Sequence, residues 1–241
     1  MTPRSHFAAR RVAPRRRLVA LSALAGCAVF GALRLAALDE SAGQSSSAAR
    51  VVATEKPAPG GVVAGRVTTS NGRPLFETVV YLESTDPSRR FPAPATPAVV
   101  GQKGAQFAPA LTVVAVGQAV EFRNDEDQPI EHNVFSKSKE VREFDLGLYK
   151  PNQARTVTFD KPGAVVLGCS IHREMQGVVY VCPTPFFARV AADGTYSLSG
   201  VPPGAYEVHT WQRNRRYLEH TQRIDVTAGA PVALDIVLRR N

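Results

Sequence analysis

The sequence predicts an all-β protein, and three observations carry that prediction. Beyond position 50 no segment of ten or more residues shows a helical apolar period. The apolar residues fall instead in short runs rich in Val, Thr, Tyr and Phe, as in Thr78-Val79-Val80-Tyr81-Leu82. Turn signals such as Asn71-Gly72, Val116-Gly117-Gln118 and Lys161-Pro162-Gly163 separate these runs. Many short strands punctuated in this way are the pattern of a β-sandwich.

The N-terminal part reads differently. Residues 1–38 have the order of an export signal or anchor: arginines, an apolar run, then small polar residues. As a helix, Leu18 to Leu33 would span about 24 Å, short of the roughly 30 Å bilayer core. Extending it past Arg34 to Leu38 reaches about 31 Å. Leu24-Ala25-Gly26-Cys27 resembles the lipobox of bacterial lipoproteins, in which the cysteine becomes the lipidated first residue. Cleavage, lipidation at Cys27 and retention as a membrane anchor all stay open, and each places the folded part in the periplasm or cell envelope. Residues 39–60, rich in Ser, Ala, Gly and Pro, are expected to form a flexible linker.

The formal net charge of +8 belongs mostly to this tail. Arg4, Arg10, Arg11, Arg15, Arg16 and Arg17 lie within residues 1–26, which hold no acid. Of the 29 bases, 23 remain elsewhere, against 21 acids. A nucleic-acid partner needs a basic face on the folded part. Only Arg213, Arg215 and Arg216 cluster there, and they read as a short solvated group, so no nucleic acid is expected.

Strands are then expected in order at Val62–Thr68, Thr78–Leu82, Ala98–Gln102, Leu111–Val116, Ala119–Asn124, His132–Ser136, Arg155–Phe159, Ala164–Cys169 and Gly177–Val181. A Pro-rich break falls at Phe91–Pro97, and two last strands are expected near Gln222–Val226 and Val232–Leu238. Asn71-Gly72 predicts a hairpin between the first two strands. Phe122, Phe135 and Phe159 are expected in the core. Cys169 and Cys182 sit in an oxidising compartment, where a disulfide is the default. A strand at Gln176–Val181 would carry Cys182 about 20 Å from the Cys169 loop, too far to bridge, so Cys182 reads as a buried free thiol.

The chemistry concentrates in Gly168-Cys169-Ser170-Ile171-His172-Arg173-Glu174-Met175. Cys169, His172 and Met175 follow one another at intervals of three on one loop between two strand-like runs. Upstream lies His132-Asn133-Val134-Phe135-Ser136. One thiolate, two imidazoles and one thioether are the ligand set of a blue-copper electron-transfer site. Zinc prefers four strong ligands in a tetrahedron, and methionine is a poor one. Nucleophilic catalysis by a Cys-His pair needs a third, orienting group, and no residue marks one. The chain has five histidines and no His-x-His pair, which excludes a multicopper oxidase. The chain is therefore not expected to be an enzyme.

These motifs support a resemblance. Residues 97–182 resemble the cupredoxins of the plastocyanin and amicyanin type, with His-Asn-Val and Cys-x-x-His-x-x-Met following the amicyanin pattern most closely. The resemblance implies a Greek-key β-sandwich with one type 1 copper ion. His132 and His172 would be nitrogen ligands, Cys169 the thiolate and Met175 the axial ligand. It further implies that Asn133 ties the two ligand loops together by hydrogen bonds, with Ser170 as its partner. Two departures stand out. Glu131 occupies a position where proline often precedes the first histidine, and Arg173 and Glu174 put charges on a loop that is largely apolar in small cupredoxins.

A second resemblance rests on Gly65-x-Val67, Gly72-x-Pro74-Leu75 and Val79-Val80-Tyr81-Leu82, followed by Asp193-Gly194-x-Tyr196 and Pro203-Gly204-x-Tyr206. These look like a carboxypeptidase-regulatory-like β-sandwich, formed by residues 61–93 and 183–241 and split by the cupredoxin-like part. In the alternative, residues 61–93 add strands to the central domain. The whole layout is similar to bacterial exported proteins labelled methylamine-utilization proteins. The resemblance implies an envelope electron carrier cycling Cu(I)/Cu(II), meeting a redox protein of the cytochrome c or dehydrogenase-like kind near His172. Two other classes stay open. One is a periplasmic copper chaperone or sensor without electron transfer. The other is an envelope binding module that uses Trp211 and Tyr217. His209 and His220 are expected on the surface of the last strands.

Overall fold

The computed structural model describes residues 60–213 and 215–241. The signal or anchor reading of residues 1–38, Cys27 included, and the linker up to residue 59 lie outside these. Among the described residues no helix is long and apolar enough to cross a membrane.

The described chain is all-β. The strands are β1 (Gly61–Thr69), β2 (Thr78–Ser84), β3 (Ala98–Lys103), β4 (Gln106–Ala108), β5 (Leu111–Ala115) and β6 (Ala119–Asn124). After these come β7 (Phe135–Ser138), β8 (Arg142–Asp145), β9 (Ala154–Thr158), β10 (Gly163–Gly168) and β11 (Gln176–Cys182). The last are β12 (Phe187–Arg189), β13 (Thr195–Val201), β14 (Gly204–Gln212), β15 (Thr221–Val226), β16 (Pro231–Ala233) and β17 (Ile236–Leu238).

Four sheets result. Two come from the middle of the chain, in the orders β5-β11-β10-β7-β8 and β4-β3-β6-β9. They enclose an apolar cluster that includes Val100, Val114, Phe122, Phe159, Val165, Leu167, Val179 and Val181. The other two join the first strands to the last: β1 lies between β13 and β16 and also pairs with β17, and the second sheet runs β12-β2-β14-β15. Between them lie Val63, Val67, Val80, Leu82, Tyr196, Leu198, Tyr206 and Ile236.

One strand serves two cores. Every residue of β11 from Gly177 to Cys182 is buried. Val179 and Val181 enter the middle cluster. Val178, Tyr180 and Cys182, on the other face, meet Val79 and Trp211 in a third cluster that seals the two pairs of sheets together. A strand covered on both faces must read as an unbroken apolar run, and Gly-Val-Val-Tyr-Val-Cys does.

Three expectations needed correction. Asn71-Gly72 does form a tight turn, with Gly72 at φ 77°, but β1 and β2 do not pair as a hairpin; they lie in different sheets. Pro74 has no N–H to extend a ladder beyond its bridge to Thr68, and the chain crosses over instead. His132 does not open a strand: β7 begins three residues later, and His132 forms an isolated bridge with Tyr149. Phe122 and Phe159 are fully buried, but Phe135 is only half-buried.

Cys169 and Cys182 are both free and buried. Burial pushes the Cys182 thiol far above its usual range, and the Glu83 carboxylate adds to this. The thiolate is the reactive form, so Cys182 should be inert in the folded protein. Iodoacetamide followed by peptide mass mapping should leave Cys182 unmodified under native conditions and label it fully in denaturant.

Candidate metal centre

Three segments converge on one point. Cys169 follows β10 directly, and the short loop to β11 carries His172 and Met175. The Met175 N–H donates to the His172 carbonyl at 3.0 Å, which closes that loop into a turn. The ring of Phe135 covers Gly168, where a Cβ would stand 2.8 Å from a ring carbon. Only glycine permits this approach of β7 to β10 beside Cys169.

His132 arrives from the segment before β7. Its main chain is clamped to Tyr149: the Tyr149 N–H donates to the His132 carbonyl at 2.8 Å, and the His132 N–H donates back at 3.2 Å. Tyr149 is buried, and its hydroxyl donates to Oε1 of Gln102 on β3. The Gln102 amide in turn donates to the Asn133 carbonyl at 3.2 Å. Burial pushes the Tyr149 hydroxyl well above its ordinary pKa, so it remains a donor.

The donor atoms come together. Cys169 Sγ lies 3.9 Å from His132 Nδ1 and 3.7 Å from His172 Nδ1. One ligand atom from each of the three residues lies within 4.8 Å of the others. Donors sharing one ion at about 2.0–2.3 Å stand at most about 4.5 Å apart, so the cluster is close to metal-binding dimensions. His132, Cys169 and Met175 are buried, and His172 is half-buried. Met175 packs in the same apolar cluster as Cys169.

Asn133 Oδ1 accepts the Ser170 N–H at 2.7 Å and the Ser170 hydroxyl at 2.9 Å. Asn133 Nδ2 donates to Asp145 Oδ1 at 3.1 Å, at the end of β8. One amide therefore links the His132 segment, the Cys169 loop and β8.

One residue escaped the sequence reading. Glu126 is buried, and its Oε1 lies 2.9 Å from His132 Nε2. The same oxygen accepts the Gly104 N–H at 2.7 Å. The hydrogen bond from His132 holds the Glu126 carboxyl below the usual range; burial opposes that shift, and the Gly104 and Ala105 N–H groups assist it. An ionised carboxylate on Nε2 fixes the proton there and leaves the Nδ1 lone pair facing Cys169. In sequence, Glu126 is one acid of Asp125-Glu126-Asp127 in a loop, and no periodicity distinguishes the middle acid from its neighbours.

The structure sets Trp211 apart from any open binding surface. It is buried, with its ring stacked on Tyr180 at 4.1 Å between centroids. Tyr217 lies between two shallow surface hollows. His209 stacks on Tyr81 at 5.2 Å.

No protein-family model matches the chain. No curated protein sequence matches it. Among solved structures, the chain is similar to a purple cupredoxin from Nitrosopumilus maritimus, at 21% identity over 35% of this chain and 99% of that one, with a TM-score of 0.32. It is also similar to amicyanin from Paracoccus versutus, at 23% identity over 42% of this chain and 98% of that one, with a TM-score of 0.33. A third likeness is to a copper-containing nitrite reductase from Thermus scotoductus, at 25% identity and a TM-score of 0.35; the match spans 42% of this chain and a quarter (25%) of that enzyme.

Proposed function

We propose that the chain binds one type 1 copper ion and carries single electrons in the cell envelope. The observation that carries this reading is the triangle of Cys169 Sγ, His132 Nδ1 and His172 Nδ1, with the sulfur 3.9 and 3.7 Å from the two nitrogens and Met175 buried in the same cluster as Cys169. Zinc and hard cations have little use for a thioether, whereas two imidazoles, one thiolate and a weak axial sulfur suit copper in both oxidation states. Copper held there supplies a one-electron couple.

The chain's own residues do the rest. Glu126 sets the tautomer of His132. Asn133 and Ser170 brace the two ligand segments against each other, so the donor geometry resists change when charge changes. His172 is the half-exposed ligand and serves as the electron port. Ile130, Leu148 and Ile171 are exposed apolar residues, at 39%, 51% and 51%, on the segments that carry or clamp the two histidines. They suit a small, transient contact with a redox protein. Burial of three of the four ligands favours this reading over a chaperone, which needs an open and exchangeable site. The export-like order of residues 1–38 supports an envelope location.

Anaerobic titration of the full chain with Cu(II) tests the proposal. One equivalent should give an intense blue colour that disappears on reduction, and Cys169→Ala should abolish it. Tight Cu(II) binding without colour would overturn the reading.

A further inference from the structure

One end of the pair of sheets built from the first and last strands carries a dense group of arginines. Arg73 follows the β1 turn, Arg213, Arg215 and Arg216 follow β14, and Arg239 and Arg240 follow β17. Hydrogen bonds knit these segments together: the Leu218 N–H donates to the Arg239 carbonyl, and the Asn241 N–H donates to the Arg216 carbonyl, at 2.9 and 3.1 Å. Arg213, Arg216, Phe76 and Tyr217 line one hollow. All six arginines are exposed, and among the described residues none is in an ion pair. The acids among them are Glu77 and Glu219; Asp193, nearby, faces Arg66 at 3.9 Å. The group therefore keeps a strong positive excess.

Its position relative to the copper loop follows from strand levels at the seam. β2 and β11 lie alongside each other: Tyr81 faces Tyr180 at 6.0 Å between ring centroids, and Val79 shares a cluster with Val178. Going back along β11 leads from Tyr180 to Met175, about 16 Å of extended chain. Going back along β2 leads in the same direction to Glu77 and Phe76. β14 is antiparallel to β2, with Trp211 opposite Val79 and Gln212 opposite Thr78, so Arg213 emerges at that same end. A protein footprint of about 800 Å² per partner is roughly 30 Å across, enough to touch both the His172 loop and this arginine ledge.

We propose that the arginine ledge is a recognition surface for an acidic redox protein, which it orients onto the copper loop. This rests on the electron-carrier reading above. The positive excess is confined to one side of this end of the molecule: the copper loop carries one base and one acid, Arg173 and Glu174, with Glu131 before His132, whereas the ledge is dominated by arginines. Charge confined to one side fixes the register of an encounter and speeds it. Exposed Phe76 and Leu218, at 59% and 53%, supply apolar contact within the ledge. A membrane seated there would cover the end that also carries His172 and would shut out a protein partner.

The test uses the copper-loaded full chain and the variant Arg213→Glu/Arg215→Glu/Arg216→Glu, which replaces three exposed side chains that are in no ion pair among the described residues. Two reduced c-type cytochromes of similar size serve as probes, one acidic and one basic. In each reaction ferrous haem gives one electron to Cu(II), leaving ferric haem and Cu(I). Stopped-flow rates for wild type should favour the acidic cytochrome and fall with added salt. In the variant that rate should drop by about tenfold or more, while bleaching by neutral hydroquinone stays unchanged. Equal rates for both chains toward the acidic cytochrome, with normal bleaching by hydroquinone, would overturn the ledge proposal alone. Absence of bleaching in both chains would overturn the electron-carrier reading and this proposal with it. Sedimentation of wild type but not of the variant with phosphatidylglycerol vesicles, at unchanged cytochrome rates, would assign the ledge to a membrane surface and overturn the proposal.

Discussion

Replacing Glu126 by Gln is expected to lower the affinity of the full chain for Cu(II) by about 10- to 100-fold, the usual cost of losing a partner behind a metal ligand. The reduction potential should rise at the same time, because a buried negative charge beside the site favours the more positive oxidation state. Glu126 Oε1 accepts from His132 Nε2 at 2.9 Å and holds that proton away from Nδ1. A glutamine oxygen can still accept the bond, but it carries no charge, so the imidazole loses basicity while its orientation survives. Competition with a chelator and cyclic voltammetry measure the two effects. Wild-type affinity and potential in the variant would show that the carboxylate does not govern His132.

The same pair has a pH signature in the copper-free chain. The folded state holds Glu126 below its ordinary pKa, first through the hydrogen bond from His132. Its contribution is therefore fully present above the ordinary glutamate value of about 4.3 and is lost as pH falls through the lower folded value. Urea midpoints of wild type should fall on that acid side, and those of Glu126→Gln should fall less.

Removing the Trp211 side chain should cost about 3–5 kcal/mol, the usual range for a buried aromatic truncated to alanine, and should uncouple the two pairs of sheets. Trp211 stacks on Tyr180 with their ring planes 16° apart, in a cluster whose other members include Val79, Leu111, Val178 and Cys182. This cluster joins strands on either side of the seam, so its loss weakens the contact between cores more than either core itself. Wild type should unfold in one calorimetric transition. Trp211→Ala should show two, with the copper colour lost in only one of them. A single transition at an unchanged midpoint would mean that the seam carries little of the stability.

The residues in these two experiments differ in how visible they are in the sequence. Cys169, His172 and Met175 lie on one loop, and their spacing alone places them within reach of one another. The apolar runs mark most strands because alternation and β-branching are local properties; Gly177–Cys182 even shows its double burial as an unbroken run. Glu126 has no such mark, because a loop imposes no period that would single it out between Asp125 and Asp127. Trp211 reads equally well as a surface aromatic or a buried one until the neighbour of β14 is known. Gly72 makes the expected turn, yet the pairing of β1 and β2 depends on which sheets the rest of the chain offers.

By itself, then, the sequence marked the all-β class, the donor types gathered on the Cys169 loop and the candidate fourth donor in His132, all of which follow from residue type and short-range spacing. Tertiary structure decided the contacts made across long stretches of chain. These are His132 brought to Cys169, Glu126 behind it, Asn133 linked to Ser170, Trp211 sealed on Tyr180, and the Arg216 segment bonded to the end of the chain at Arg239 to Asn241. The physical reason is that strand pairing and core packing choose partners by complementary surfaces at large sequence separation, and no local pattern of side chains records that choice.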